Sequence, residues 1–452
     1  MSKFAGALRR TPWLAGLPRE VSVLAAIAFC VALGFGIVAP AIPVFAKTFG
    51  VTAFLAGAVV SVFAFMRLIT APGAGALVNR IGERAVLSAG LLVVAVSSLL
   101  AGFANTYTQL LLLRGVGGIG SAAFTVSAMA LLLRTAGPEQ RGRAAGAFQA
   151  GFLFGGIAGP AVGGLVVGIS IRAPFFVYAA TLLLATAVAL LFLRSPAQIA
   201  AADVARGDTD TAEAIDPVAA RAAELAPDDV VAVGAPNNET PNNQAPAAHP
   251  TTLGRALRNG GYRAALVVNL SNGFVSFGIR TSLVPLFVVE SLGRGPGLAG
   301  VGFLVAALTQ GIALLPAGRL ADHRGRRPAM IIGTLTSAIG LVALTLAGEP
   351  ALFLVSMAIV GIGTAFLGSA PAAVVGDVIG PNRGGIVVAT FQMIADVGSI
   401  AGPLLAGLIA DQAGYHWAFA TALAVMAVAL LFAVLMPETK ARDEQLSAAS
   451  PN

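Results

Sequence analysis

The sequence predicts an all-α integral membrane protein of twelve transmembrane helices, arranged as two pseudo-symmetric six-helix bundles. Three observations carry that prediction. Apolar stretches of about 20 residues or more recur along the chain, each long enough to cross a hydrocarbon core of roughly 30 Å. The two halves repeat each other's motifs at one constant offset. The basic residues gather on one side of the resulting helices, as membrane topology requires.

Composition sets the class first. The chain is 57% hydrophobic and only 11% charged, whereas a soluble protein would carry about twice that charge fraction. The first half offers spans at 21–46, 52–78, 84–104, 108–135, 143–169 and 173–194. The second half offers 262–290, 297–319, 328–347, 351–376, 385–411 and 415–436. Span 1 follows Lys3, Arg9 and Arg10 and continues past Gly34 and Gly36 to Pro40 and Pro43. A cleaved signal peptide would have a shorter apolar core followed by a small-residue cleavage site, so span 1 reads as a retained helix. Spans 2 and 3 are separated by the loop Gly75–Arg84, and spans 8 and 9 by its repeat, Gly318–Arg327. Span 4 carries Arg114-Gly115-Val116-Gly117-Gly118-Ile119-Gly120. In spans 5 and 11, Gly155, Gly159, Pro160 and Gly164 recur as Gly398, Gly402, Pro403 and Gly407. Phe148-Gln149 likewise recurs as Phe391-Gln392, and Pro138 as Pro381.

Between the halves the composition turns to Ala, Pro, Asp and Asn, with the run Pro-Asn-Asn-Glu-Thr-Pro-Asn-Asn-Gln. So few large apolar side chains cannot offset the entropy of ordering. The expected organisation is therefore an N-terminal six-helix bundle at 1–195, a largely disordered linker at 196–260 with a short helix near 217–225, a C-terminal bundle at 261–437, and a tail at 438–452. Acids outnumber the three arginines of the linker, Arg206, Arg221 and Arg255.

The net charge of +7 does not point to nucleic acid. Only Lys47, Arg172 and Arg294 fall on one side of the predicted helices, and Arg67, Arg114 and Arg280 fall within them. All the other basic residues lie on the opposite side, which the positive-inside rule makes cytoplasmic. Both termini are thus expected in the cytoplasm, with the chain in the inner (plasma) membrane. The single cysteine, Cys30, excludes an intrachain disulfide and any cysteine-pair metal site.

The motifs then become specific. The paired loops resemble the Gly-x-Leu-Ala-Asp-Arg-x-Gly-Arg-Arg signature of the major facilitator superfamily. Residues 318–327 match it nearly throughout, and residues 75–84 match with Asn79 replacing the acid. The Arg114 segment resembles that family's helix 4 motif. Gly155-x-x-x-Gly159-Pro160-x-x-Gly163-Gly164 resembles the helix 5 motif of its drug:proton antiporter branches, and Pro40-Ala41-Ile42-Pro43 the helix 1 ending of the twelve-helix branch. The resemblance implies the major facilitator fold, a small-molecule substrate, alternating access and a proton as coupling ion. It also implies that a monomer suffices and that no cofactor or metal is needed.

The loop motif implies a latch between bundles at the cytoplasmic face, involving Gly75, Asn79, Gly82, Arg84, Gly318, Asp322, Gly325, Arg326 and Arg383. Asp322 can pair with Arg326 or Arg383, but Asn79 offers only neutral hydrogen bonds. The departure implies a weaker latch and a balance shifted toward the inward-open state. Glycines at small-xxx-small spacing permit close helix approach, and a following proline bends the helix. Gly155, Gly159, Pro160, Gly163, Gly164, Gly402 and Pro403 are therefore candidate hinges.

Charges at membrane depth mark function by default. Arg67 and Asp396 each lie about 18 Å from the cytoplasmic edge at 1.5 Å per residue. In the fold that the chain resembles, helices 2 and 11 face each other, so these two side chains are expected to meet. Asp396 is the one carboxylate placed to carry a coupling proton, because His249, His323 and His416 all fall outside membrane depth. Arginine favours the ionised acid and desolvation the protonated one, so separating the pair would couple protonation to movement. A static structural ion pair is the alternative. The resemblance adds Arg114 to the proton-coupling set, with a structural contact to helix carbonyls as its alternative.

Arg280 has no counterpart in the other half, which makes it a candidate substrate group, with Asn272, Gln149, Gln310, Gln392, Phe35 and Phe277 around it. Asn269 is another polar residue at membrane depth, and each of these polar residues can equally serve as interhelical glue. Helix 1 has no acid beyond Glu20, and three buried arginines face one acid. A neutral, zwitterionic or anionic amphiphile therefore fits better than a lipophilic cation. Two readings follow: proton-coupled export of drug-like molecules, or symport or facilitated exchange of a small organic anion. An enzyme is not expected, since no His, Asp or Ser cluster lies at either interface and no phosphate-binding Gly-x-x-x-x-Gly-Lys-Ser/Thr occurs. A non-transporting scaffold would have no use for Asp396 and Arg67.

Overall fold

The structure, a computed structural model, describes residues 17–136, 140–193, 252–379 and 385–439. The expected linker helix near 217–225 and Arg383 lie outside them. Among the described residues, twelve helices are long and apolar enough to cross a membrane. They are α1 (Arg19–Lys47), α2 (Ala53–Ile81), α3 (Glu83–Gly102), α4 (Tyr107–Thr135), α5 (Arg141–Ile169) and α6 (Ala173–Phe192) in the first half. The second half holds α7 (Gly260–Glu290), α8 (Gly297–Arg324), α9 (Arg326–Thr345), α10 (Pro350–Ile379), α11 (Gly385–Ala413) and α12 (Tyr415–Leu435). A short helix, Leu253–Arg258, precedes α7 at the end of the linker.

Local chemistry fixes the helix ends. Thr52 and Thr106 cap α2 and α4 by accepting from the Leu55 and Gln109 backbone N–H groups at 3.3 Å. Asn259 caps α7 through the Gly261 N–H at 2.8 Å. Gly82 and Gly325 turn the chain at φ +86° and +112° between α2 and α3 and between α8 and α9, a conformation that a side chain would strain.

One buried apolar cluster is built from α1 to α6 and a second from α7 to α12. Small residues let the helices approach within each half. A Cβ at Gly151, Gly155, Gly159 or Gly163 would run into the α1 backbone at Ala25, Phe29, Leu33 or Ile37, so one face of α5 lies directly against α1. The same device recurs where Gly398 and Gly402 press on the Leu270 and Phe274 carbonyls of α7. Pro160 and Pro403 sit inside unbroken α5 and α11.

Helix α7 departs from its counterpart in the first half. Residues Phe274–Leu283 form a π-helical turn, with Thr281 Oγ1 donating to the Ser276 carbonyl at 2.9 Å. The apolar pattern of the sequence gave no hint of it.

Candidate functional site

Helices α2 and α11 run side by side between the halves and bring the expected pair together. Starting from the face that bears Lys47 and Asp411, Asp411 accepts from the backbone N–H groups of Ala53 and Phe54 at 2.7 and 2.8 Å. A Cβ at Gly57 would collide with the Pro403 carbonyl. Ser61 Oγ donates to the Ile400 carbonyl at 2.7 Å. At the next level, Arg67 donates from Nη2 to Asp396 Oδ1. Asp396 is buried and Arg67 half-buried, so the charges meet largely out of water. The geometry joins a cation on one half to an acid on the other.

Beyond that level the helices part. Gly73 and Gly75 on α2, Gly146 on α5 and Gly318 on α8 have no atom within 4 Å of where a Cβ would stand. Leu77, Ile81, Ile386 and Val388 are exposed, as are Gln149 and Gln392. The cleft between halves thus opens toward the face carrying Arg80, Arg84, Arg319 and Arg324, here called the basic face. It closes toward the opposite face. There Lys47 pairs with Glu290 at 3.0 Å, and Glu290 also accepts from the Tyr415 hydroxyl at 2.6 Å. Gly164 of α5 lies against Gly300 of α8.

Around the cleft, Phe35 and Phe277 meet across the halves with ring centroids 6.3 Å apart. Asn272 and Arg280 are half-buried on α7, and Gln310 is half-buried on α8. Asn269, by contrast, donates to the Phe391 carbonyl at 2.8 Å and ties α7 to α11. Arg114 is not bonded to Arg67 or Asp396: it is 3% exposed and stacks over the Phe63 ring at 4.4 Å. Its Nε has no hydrogen-bond partner among the described residues.

The loop motifs act within their own halves. Arg326 bonds Asp322 at 2.7 Å and Asp377 at 3.0 Å, joining α8, α9 and α10. Arg84 donates to the Leu190 carbonyl at the end of α6. Asn79 is exposed and makes no hydrogen bond to another described residue. Of the two partners expected for Asp322, Arg326 is the one it meets, within its own half, and Arg383 lies outside the described residues. In the first half Arg134 pairs with Glu83 at 3.1 Å. Sequence reasoning treated Asp396 as the sole buried acid, yet Glu83 is 8% exposed, drawn in as α3 packs against α4. At the repeat offset, Glu83–Arg134 corresponds to Arg326–Asp377, the same pair with its signs exchanged.

A sequence profile described as Major Facilitator Superfamily matches residues 24–226 and 265–451. The chain belongs to the Major Facilitator Superfamily. Among relatives of this superfamily, it is 25% identical over 427 residues to Multidrug resistance protein 1 of Bacillus subtilis (strain 168), covering 92% of this chain and 96% of that one. It is 28% identical over 178 residues to Quinolone resistance protein NorA of Staphylococcus aureus (strain Mu50 / ATCC 700699), covering 39% of this chain and 46% of that one. In fold it is similar to a bacterial homologue of the human lysosomal transporter Spinster, solved inward-facing and unoccupied. The TM-score is 0.69 at 15% identity, over 94% of this chain and 97% of that one. This major facilitator chain is thus a membrane transporter that resembles the drug:proton antiporter branch.

Sequence reasoning missed the closure at the opposite face. Lys47, Glu290, Asp411 and Tyr415 lie at helix ends, where charge is ordinary, and none belongs to a repeated motif. The available signal was Asp411 itself, an acid at the end of α11 while Asn79 ends α2.

Proposed function

We propose that this transporter exports amphipathic drug-like or lipophilic small molecules, neutral, zwitterionic or anionic, in exchange for protons by alternating access. The observation that carries the reading is the Arg67–Asp396 pair, which joins α2 to α11 across the halves. When the halves separate at this level, Asp396 loses its counter-charge in a place that disfavours a bare carboxylate. It then takes a proton, and re-forming the pair releases it. One half-cycle of rocking thereby moves one proton, and the glycine–proline segments of α5 and α11 supply the bend. The monomer holds both halves of the site. The basic face is the cytoplasmic one, by the excess of arginine there, so the open cleft collects substrate from the cell interior or inner leaflet. The similarity to proteins named for multidrug and quinolone resistance supports export.

The second reading, symport or exchange of a small organic anion, is favoured by Arg280, which has no ionic partner among the described residues. The test uses purified protein in liposomes containing a pH-sensitive dye. A proton gradient is imposed and neutral, anionic and cationic amphiphiles are added, for wild type and Asp396→Asn. Substrate-dependent proton flux that vanishes in Asp396→Asn is expected, with its sign giving antiport or symport. Substrate movement with no proton flux, unchanged in the variant, would overturn the coupling.

A further inference from the structure

Asn272, Ser276 and Arg280 are spaced by four residues across the junction where α7 passes from α-helical to π-helical turns. A spacing of four lies between the two helical periods, so the three side chains form one stripe. All three are half-buried. Ser276 Oγ donates to Asn272 Oδ1 at 3.4 Å, which leaves the Asn272 amide N–H groups without an acceptor among the described residues. Arg280 makes no hydrogen bond or ion pair to any described residue. The equivalent stretch of α1 carries Ile37 and Val38, both buried and apolar, so the repeat itself does not call for a cation here.

A guanidinium at this depth with no anion is costly, and its five donors need acceptors. The carboxylates of α7 itself and of α11, which packs against it, are committed elsewhere. Asp396 is held by Arg67, Glu290 by Lys47 and Tyr415, and Asp411 by the start of α2. Beside the stripe on the same helix, Phe277 faces Phe35 of the other half. The place therefore combines an unpaired planar cation, free amide donors and an aromatic wall, at the closed end of a cleft open to the basic face.

We propose that Arg280, with Asn272, binds the carboxylate of an anionic amphiphile whose apolar body lies against Phe35 and Phe277. A carboxylate matches the guanidinium fork with two parallel hydrogen bonds, which a neutral analogue cannot make. The inference rests on the export reading for the identity of this carboxylate as cargo, but binding itself needs no proton gradient.

The experiment is equilibrium binding to the full chain in lipid nanodiscs, without any gradient. The probes are dansyl-aminoundecanoic acid and its primary amide, read by dansyl fluorescence above empty-nanodisc partitioning. In wild type the acid binds about tenfold or more tighter than the amide, the scale of a charge-assisted hydrogen bond. Arg280→Gln weakens the acid far more than the amide and so abolishes that preference, with parental size-exclusion elution showing that the variant is folded. Arg280→Lys keeps part of the preference, and Asn272→Ala weakens the acid more than the amide. Equal binding of acid and amide by wild type overturns the proposal without recourse to any variant. So does binding of neither probe, or an equal loss of both in Arg280→Gln. An acid preference that depends on Arg280 would stand even if Asp396→Asn left proton flux unchanged, so the two readings fail separately.

Discussion

At one face α11 ends in Asp411, whose two oxygens take the backbone N–H groups that open α2. At the other face α2 ends in Asn79, an exposed amide with no hydrogen bond to a described residue. Because α2 and α11 lie antiparallel, each helix finishes at the face where the other starts. The fold thus offers the same opportunity twice, a side chain at one helix end set against the positive end of the next. The chain places a carboxylate at one and a neutral amide at the other. Charge-assisted bonds to backbone N–H groups are about twice as strong as neutral ones. The structure is closed at the face with the carboxylate and open at the face with the amide.

The largest effect is expected midway between the two faces. Asp396→Asn removes the acid shared by both faces' motions and leaves Arg67 with no counter-charge. Gradient-driven efflux of an amphiphilic dye from liposomes is expected to cease, while gradient-free binding of the amide probe persists. Asp411→Ala comes next. It strips two charge-assisted hydrogen bonds from the start of α2, each worth about 1.5–3 kcal/mol, and releases the opposite face. In a Cys30→Ser background, Ser61→Cys is buried beneath that closure, so its labelling by an impermeant maleimide from the opposite side should rise at least about tenfold. No change in rate would mean that apolar packing at Gly57, Pro403 and Gly407 holds the face by itself. Asn79→Asp acts at the other face. It should draw the basic face together by about 0.3–1 kcal/mol, the worth of a charge at an exposed helix terminus. Spin labels at Leu77 and Val388, both exposed, would show a larger short-distance population in Asn79→Asp than in its parent.

Much of this was legible beforehand, for reasons that lie in particular residues. The twelve spans follow from apolar length alone, and Arg67 and Asp396 stood out because charge at membrane depth is costly enough to need a cause. Their partnership needed the fold resemblance as well, since nothing in the local pattern of α2 points to α11. The π-helical turn in α7 escaped because Phe274–Leu283 has the same apolar content whether its hydrogen bonds span four residues or five. The assignment of Asp322 to a bridge between bundles came from a motif, and a motif carries no information on which state is populated. Here Asp322 makes the expected pair with Arg326, a contact within one half. The Asp411 closure was hidden for the opposite reason. A single acid at a helix end is commonplace, and only the antiparallel pairing of α2 with α11 gives it a partner.

The smallest effect separates the two parts of the opposite-face closure. Lys47 and Glu290 link α1 to α7 at 3.0 Å, with side chains 27% and 37% exposed. Water and salt screen such a pair, so its loss costs only about 0.2–1 kcal/mol. Lys47→Ala should therefore raise Ser61→Cys labelling by less than about fivefold, and salt should narrow the gap between variant and parent. The Asp411 closure should respond less to salt, since its acceptors bind backbone N–H groups in direct contact. Exchanging the charges, Lys47→Glu with Glu290→Lys, should restore the parental rate if attraction between the two is what matters. If Lys47→Ala instead opened the face as widely as Asp411→Ala, the closure would be a single network in which Glu290 and Tyr415 act with Asp411, and the helix-terminus bond would lose its leading place.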